Sequence, residues 1–168
     1  SELEVGRRAT WMRRCLSEDL LLFAHVSGNV NPATLPEWAP GEVPVQAMAP
    51  SMWVGSLVSA VLGNVLPGPG TLYRHQNLSF LTRVHVGDEL HISVTCTAKG
   101  VEPLAVFDTR ITNAAGEVVC EGQAEVEVPL VSQFAEARQL PALILGHRDH
   151  FAALIESARQ LPALSTAV

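Results

Sequence analysis

Alternation of apolar and polar residues with a period of two marks the middle of the chain, and this is the pattern of half-buried β-strands. The clearest stretch is residues 90–99, and weaker ones cover residues 105–111 and 118–128. Residues 72–80 precede them as another strand, and residues 9–16 can supply one more. Turn sequences separate the last three: Gly87-Asp88, Lys99-Gly100 and Ala115-Gly116. Four or five antiparallel strands are therefore predicted.

A different pattern precedes these strands, because residues 51–66 are apolar or small on every side. Pro50 cannot continue a helix from upstream, and Ser51 is a suitable N-cap, so a helix is predicted from this point. The sequence Pro67-Gly68-Pro69-Gly70 ends it. A helix that is hydrophobic all round is expected to be buried all round. An α+β hot-dog fold follows, in which a curved antiparallel sheet wraps around a long buried central helix.

Two further helices are predicted at the ends of this unit. Residues 17–26 form a short one, with Ser17 as N-cap and two acidic residues in the first turn that favour the helix dipole. Residues 147–161 carry an apolar stripe and form an amphipathic helix. The heptapeptide ARQLPAL occurs at 137–143 and again at 158–164, and we interpret the copies as two similar helix ends.

Composition narrows the class of protein. The 168 residues suit one domain, with 48% apolar and 17% charged residues and a net charge of −6. No basic run is present to neutralise phosphates, and no apolar run is long enough to cross a bilayer, so neither nucleic acid nor membrane is an expected partner. Three widely spaced cysteines indicate buried free thiols in a reducing compartment. A soluble, cytoplasmic protein is expected, and no signal-peptide pattern opens the sequence.

The segment SEDLLLFAHVSGNVNPATL at residues 17–35 resembles the signature of the MaoC-like (R)-specific enoyl-CoA hydratases. The resemblance continues through residues 49–63, 66–73 and 86–88, and so covers residues 2 to about 130. It implies a hot-dog domain that acts on acyl-CoA or another thioester, needs no cofactor, and assembles as a homodimer or higher oligomer with paired sheet edges.

The resemblance is strongest to the hydratase-like domain that precedes a phosphate acetyl- or butyryltransferase domain in bifunctional proteins. It implies a MaoC-like domain over residues 1–130. Residues 131–168 are then a helical extension that leads into a covalently attached transferase domain.

Two positions of the hydratase motif differ in this chain. The family's motif has an Asp directly after Ser-Gly and a His shortly after Asn-Pro, whereas here these positions are Asn29 and Thr34. Hydration needs a base that takes a proton from water as it attacks C3 and an acid that protonates C2. An amide and a hydroxyl do neither near neutral pH. Ser59, which matches a serine that supports the Asp, is retained. Hydratase activity is therefore predicted to be weak or lost.

The start of the central helix also differs, because Pro50-Ser51 stands before Met52 where the family usually has His-Gly. A backbone N–H at such a helix start holds the thioester carbonyl oxygen, with help from the helix dipole. Ser51 keeps that N–H, so Ser51 and Met52 are candidate substrate-binding residues.

Other candidates are weaker, and each has a simpler interpretation. His25, one helical turn before residue 29, is a candidate relocated base or substrate-binding residue, although a partly buried helix histidine is favoured. Glu37 and Glu42 are alternative bases, or solvated loop charges. Arg74 and Arg83 are candidates for the CoA phosphates, or surface charges.

The remaining polar candidates are histidines and asparagines. His85 and His91, and likewise His147 and His150, lack a third ligand at a suitable spacing, so no metal site is predicted. Asn29 and Asn31 suit a turn as well as they suit contact with water or ligand.

Three functions stay open at this stage. The chain is a hydratase-family domain that binds acyl-CoA with impaired chemistry, an active (R)-specific hydratase with a relocated base, or a non-catalytic dimerisation module of a phosphate acyltransferase. A hot-dog thioesterase is disfavoured, because by resemblance such enzymes place an Asp or Glu on or beside the central helix and residues 51–66 contain neither.

Overall fold

The computed structural model describes residues 3–35 and 47–129. Its elements in chain order are β1 (Arg8–Arg14), α1 (Ser17–Ser27), a 3₁₀ turn (Pro32–Thr34), α2 (Ser51–Asn64), β2 (Leu72–Phe80), β3 (Glu89–Lys99), β4 (Leu104–Asn113) and β5 (Val118–Glu127). The chain divides into two compact units, Ser1–Ala137 and Arg138–Val168, and all described residues belong to the first. The predicted helix at 147–161, the repeat, His147 and His150 lie outside the described residues.

One five-stranded sheet has the order β1-β3-β4-β5-β2, with every neighbouring pair antiparallel. One face of the sheet presents apolar side chains to α2, and Ile92, Val94, Phe107 and Ile111 are fully buried there. These residues follow the period-two pattern, so the five predicted strands and the α+β hot-dog arrangement are confirmed. The strands β1 and β2 form the two edges of the sheet.

Helix α2 is buried on one side only, so the prediction of burial all round is wrong for the single chain. Trp53, Leu57 and Val61 face the core, whereas Ser59 is exposed and Met52 keeps 63% of its surface accessible. The sheet covers one side of a helix, and nothing in the described residues covers the other. The helix also ends at Asn64, short of the predicted residue 66.

Neither predicted serine N-cap is in the cap position. Ser17 and Ser51 are the first residues of their helices, and Leu16 and Pro50 are the caps. In α1 the carboxylate of Asp19 accepts a hydrogen bond from the Leu16 backbone N–H at 3.0 Å. A carboxylate in the first turn satisfies a free amide and favours the helix dipole, so it replaces the hydroxyl cap.

The three cysteines are buried and free, as predicted. Burial, with smaller contributions from the carboxylates of Asp19 and Asp88, raises the pKa of Cys15 to about 12. Burial also raises the pKa of Cys120 to about 11. These thiols are therefore protonated apolar core residues at neutral pH. Among the described helices, none has the length and hydropathy to span a membrane.

Two glycines allow close packing against β2. A Cβ at Gly55 of α2 would lie 2.8 Å from Leu78 Cδ1, so this glycine lets the strand approach the helix. A Cβ at Gly122 of β5 would lie 2.0 Å from the Asn77 carbonyl oxygen. The Asn77 side-chain oxygen also accepts a hydrogen bond from the Gln123 backbone N–H at 2.9 Å. The edge strand β2 is therefore held at a point where only glycine fits on its neighbour.

We expect Gly122→Ala to destabilise the domain by at least the ~1–3 kcal/mol typical of overpacking, because a backbone atom must move. Gly63→Ala is the control, since its Cβ meets nothing within 4 Å and alanine favours a helix by up to about 1 kcal/mol. Urea unfolding followed by circular dichroism measures both. Equal midpoints for the two variants would contradict this packing of β2 on β5.

Candidate functional site

A cleft of about 590 Å³ opens where α2 begins. Its walls come from three parts of the chain: the loop after α1, the first residues of α2, and the segment that follows β2. The residues that line it are Phe23, Asn29, Asn31, Ala33, Thr34, Met48, Ala49, Pro50, Ser51, Met52, Val54, Phe80, Leu81, Thr82, Arg83, Val84 and Val119. Asn29, Thr34, Ser51, Met52 and Arg83 of the predicted site residues thus come together in one cleft.

Side-chain hydrogen bonds fix the backbone conformation of the loop after α1. Helix α1 ends at Gly28, whose φ of 73° is in the left-handed region that glycine adopts readily. The side-chain oxygen of Asn29 accepts from the Asn31 backbone N–H at 3.2 Å, and that of Asn31 accepts from Ala33 N–H at 3.1 Å. The Thr34 hydroxyl donates to the Asn31 carbonyl at 3.0 Å. The turn chemistry expected of Asn29 and Asn31 is therefore present.

Backbone hydrogen bonds bring this loop to the start of α2. The Met48 N–H donates to the Ala33 carbonyl at 3.1 Å, and the Ala49 N–H donates to the Val84 carbonyl at 2.8 Å. Residues 47–50 therefore connect the loop on one side with the segment after β2 on the other. The cleft is built from main-chain contacts, which fix its walls independently of the side chains that line it.

The first turn of α2 presents unsatisfied amides at the cleft. The N-cap Pro50 has no N–H, and its carbonyl accepts from Trp53 N–H at 2.9 Å and from Val54 N–H at 3.2 Å. Among the described residues, no acceptor faces the N–H groups of Ser51 and Met52. The N-terminal end of a helix carries partial positive charge, so these two amides can bind a carbonyl oxygen.

The cleft has little capacity for proton transfer. Arg83 is the one ionisable side chain among the described residues that line it, and none of them is Asp, Glu or His. The candidate base His25 is exposed on α1 and does not line the cleft. Glu37 and Glu42 lie outside the described residues. Within the described ranges, the cleft therefore holds no group that could serve as a base near neutral pH.

Ser59 and Arg74 lie elsewhere in the single chain. Ser59 is on the exposed side of α2, where its hydroxyl lowers the pKa of the nearby Tyr73 phenol. Arg74 forms an ion pair with Glu127 on the neighbouring strand. Neither residue lines the cleft. The serine that is expected to support position 29 does not reach it within one chain.

The histidines of β3 and of the turn before it have carboxylate neighbours. His91 Nε2 lies 3.2 Å from Glu89 Oε1, and His85 Nδ1 lies 3.9 Å from Asp88 Oδ2. In the part of the chain that the structure describes, no three His, Cys, Asp or Glu side chains are grouped so that they could hold a metal ion.

Sequence reasoning named Arg83 but missed the rest of the segment Phe80–Val84, which forms one wall of the cleft. These residues belong to the end of β2 and the turn after it, where the period-two pattern stops. The sequence offers only the two neighbouring apolar residues Phe80 and Leu81 at a strand end, and the structure shows that they keep 39% and 58% of their surfaces accessible. Such an exposed pair is typical of a binding surface.

Comparisons with known proteins agree with one another. The chain is 36% identical over 129 residues to an (R)-specific enoyl-CoA hydratase from Rhodospirillum rubrum, which covers 76% of this chain and 90% of that protein. It is equally similar, at 36% over 129 residues, to the (R)-specific enoyl-CoA hydratase of Aeromonas caviae, covering 76% of this chain and 96% of that protein. No family model matches the chain.

A solved structure shows the same arrangement of elements. The R-hydratase PhaJ1 of Pseudomonas aeruginosa in its unliganded form superposes with a TM-score of 0.79 at 37% identity. The match covers 86% of this chain and 94% of that one.

Tyr73 is the one tyrosine of the sequence, and it lies near Ser59 on the exposed side of α2. Its titration is therefore sensitive to changes at this surface. Burial raises its pKa to about 12 from an ordinary value of 10.0, and the hydrogen bond with Ser59 opposes part of this rise. We therefore expect ultraviolet titration to show no tyrosinate in the folded protein at pH 10. The pKa of Tyr73 is higher in the folded protein than in the unfolded chain. The contribution of this phenol to the free energy of unfolding is therefore complete below pH 10 and is lost as the pH rises towards 12.

Ser59→Ala should move this titration to still higher pH, because the opposing hydrogen bond is removed. Ser56→Ala on the same side of α2 is the matched control, since the Ser56 hydroxyl donates to the Trp53 carbonyl at 2.6 Å. An identical titration in wild type and Ser59→Ala would show that the two hydroxyls do not interact.

Proposed function

Because this chain belongs to the (R)-specific enoyl-CoA hydratase family, we propose that its cleft binds an acyl-CoA thioester and that its hydratase activity is weak or lost. One observation carries the proposal. The cleft retains amides that can bind a carbonyl oxygen, whereas the described residues that line it include no carboxylate and no imidazole. Hydration requires both substrate binding and proton transfer. In this proposal the cleft keeps the groups for binding and lacks the groups for proton transfer.

The binding role follows from the walls of the cleft. The N–H groups of Ser51 and Met52 would donate hydrogen bonds to the thioester carbonyl oxygen, assisted by the dipole of the 14-residue helix α2. Apolar side chains such as Phe23, Val54 and Leu81 would contact the acyl chain. Arg83, which is exposed at the cleft, would contact a phosphate of the CoA moiety.

The chemistry is limited by positions 29 and 34. The Asn29 side-chain oxygen already accepts a backbone hydrogen bond, and an amide does not take a proton from water near neutral pH. The Thr34 hydroxyl donates to a carbonyl and is not an acid in this range. Removal of one acid–base group typically costs about 10²–10⁴ in rate, and here both positions differ.

A second copy of this chain is the proposed occupant of the exposed side of α2 and the free edge of β2. Several apolar residues of this region are accessible, among them Met52, Leu72 and Tyr73 at 63%, 62% and 41%. An edge strand with unpaired backbone groups favours pairing with another strand, and two antiparallel β2 strands can pair about a two-fold axis. The downstream transferase domain stays a prediction that rests on the sequence resemblance.

We expect the wild-type protein to leave crotonyl-CoA unhydrated while calorimetry detects its binding. The double variant Asn29→Asp, Thr34→His restores both acid–base groups and should raise the hydration rate by about 10²-fold or more. Loss of the enoyl absorbance measures hydration. The single variants are controls and should remain slow, because each lacks one of the two groups.

A wild-type rate equal to that of the double variant would contradict the loss of activity and would require a base among the remaining residues. Absence of binding to any CoA ester would contradict the binding role. Arg83→Gln should lower the affinity for all CoA esters by the same factor, because all of them carry the same phosphates.

For the assembly, we expect sedimentation to show a dimer that Leu72→Lys weakens, since two symmetry-related charges would be buried beside the paired edge. Val101→Lys is the control: Val101 is 87% exposed in the turn between β3 and β4, two strands that do not pair with β2. A wild-type monomer, or a dimer that tolerates Leu72→Lys, would be evidence against this interface.

A further inference from the structure

The orientation of the Asn29 amide determines which polar atoms the cleft presents. Its oxygen accepts from the Asn31 N–H, so the amide cannot rotate without losing that bond, and its nitrogen carries the remaining hydrogen-bonding capacity. No acceptor for Asn29 Nδ2 is found among the described residues. The side chain is exposed and lines the cleft. Position 29 therefore offers a donor, where a carboxylate would offer only acceptors.

Two other polar side chains of the cleft also offer donors. The Asn31 oxygen also accepts a backbone N–H, at 3.1 Å, which leaves its nitrogen as a donor. Arg83 can only donate. The hydroxyls of Thr34 and Thr82 use their protons inside the protein, on the Asn31 carbonyl and on Glu117 or the Val118 carbonyl. Asn29, Asn31 and Arg83 therefore present donors to the cleft, whereas the two threonine hydroxyls keep only acceptor capacity.

A donor at Asn29, in addition to the amides at the start of α2, suits a ligand that has more than one acceptor oxygen. A 2-enoyl or saturated acyl thioester has a single acceptor near its reactive carbons, the thioester carbonyl. A 3-oxoacyl thioester has a second carbonyl oxygen on C3, in a 1,3 relation to the first. Polar protein groups that lose water without gaining a partner reduce affinity, so the extra oxygen is favoured where a donor faces it.

We infer that this cleft binds 3-oxoacyl thioesters in preference to saturated or 2-enoyl thioesters of the same length, with the Asn29 amide nitrogen donating to the C3 oxygen. The inference rests on the proposed function, which places the thioester carbonyl at the start of α2 and the acyl carbons beside residue 29. It adds a ligand class that position 29 selects through its hydrogen-bond donor.

Calorimetric titration of the full chain with acetoacetyl-CoA and butyryl-CoA tests the inference, because the two four-carbon esters differ only in the oxygen at C3. We expect wild type to bind acetoacetyl-CoA about three- to tenfold more tightly, the effect of one net hydrogen bond. Asn29→Asp keeps an oxygen to accept from the Asn31 N–H and replaces the donor with a negative charge. It should abolish or reverse the preference, which is measured as the ratio of the two affinities in the same variant.

Asn31→Asp is the matched control, since it adds the same charge to the same loop and also keeps its backbone hydrogen bond. We expect it to retain the preference for acetoacetyl-CoA. Equal wild-type affinity for the two esters would overturn the inference and leave the proposed function intact. An equal loss of preference in both Asp variants would overturn the assignment to Asn29. Failure of both esters to bind would overturn the proposed function itself.

Discussion

The packing of one uncharged helix against one face of an antiparallel sheet is the constraint on which the rest of the structure depends. Residues from Val43 to Tyr73 include no charged side chain, and α2 within them contributes Trp53, Leu57 and Val61 to the core. Apolar burial of this kind is the main favourable term in folding. The same helix places its first turn at the cleft, so the element that organises the core also positions the amides available to a ligand.

The strands and the fold could be predicted because the alternation of apolar and polar residues in each strand is visible within a short stretch of sequence. Prediction was less reliable where the outcome depends on neighbours distant in the chain. The prediction that α2 is buried on every side was wrong. Apolar and small residues show that a helix surface is compatible with burial, but they do not show whether another element covers it. The predicted serine caps were also wrong. At the start of α1, the Asp19 carboxylate accepts the hydrogen bond from the Leu16 amide, so no serine hydroxyl is needed there.

The candidate site was predictable in part for the same reason. Asn29, Thr34 and Ser51 were found because they occupy positions of a local motif, and the structure brings them into one cleft. Of the wall formed by Phe80–Val84 only Arg83 was named, because only the fold brings the end of β2 to the start of α2. Ser59 shows the opposite case: its motif position is retained, yet in one chain its hydroxyl interacts with Tyr73.

Met52 belongs to two surfaces at once. It lines the cleft, and it keeps most of its area accessible on the side of α2 that the core leaves uncovered. Phe80 has the same double position at the end of β2. Whatever occupies one of these surfaces changes the wall of the other, and thermodynamic linkage makes such an effect reciprocal. If the proposed dimer forms on this side of α2, thioester affinity and self-association would be coupled, and the apparent dissociation constant of the ligand would vary with the concentration of the protein.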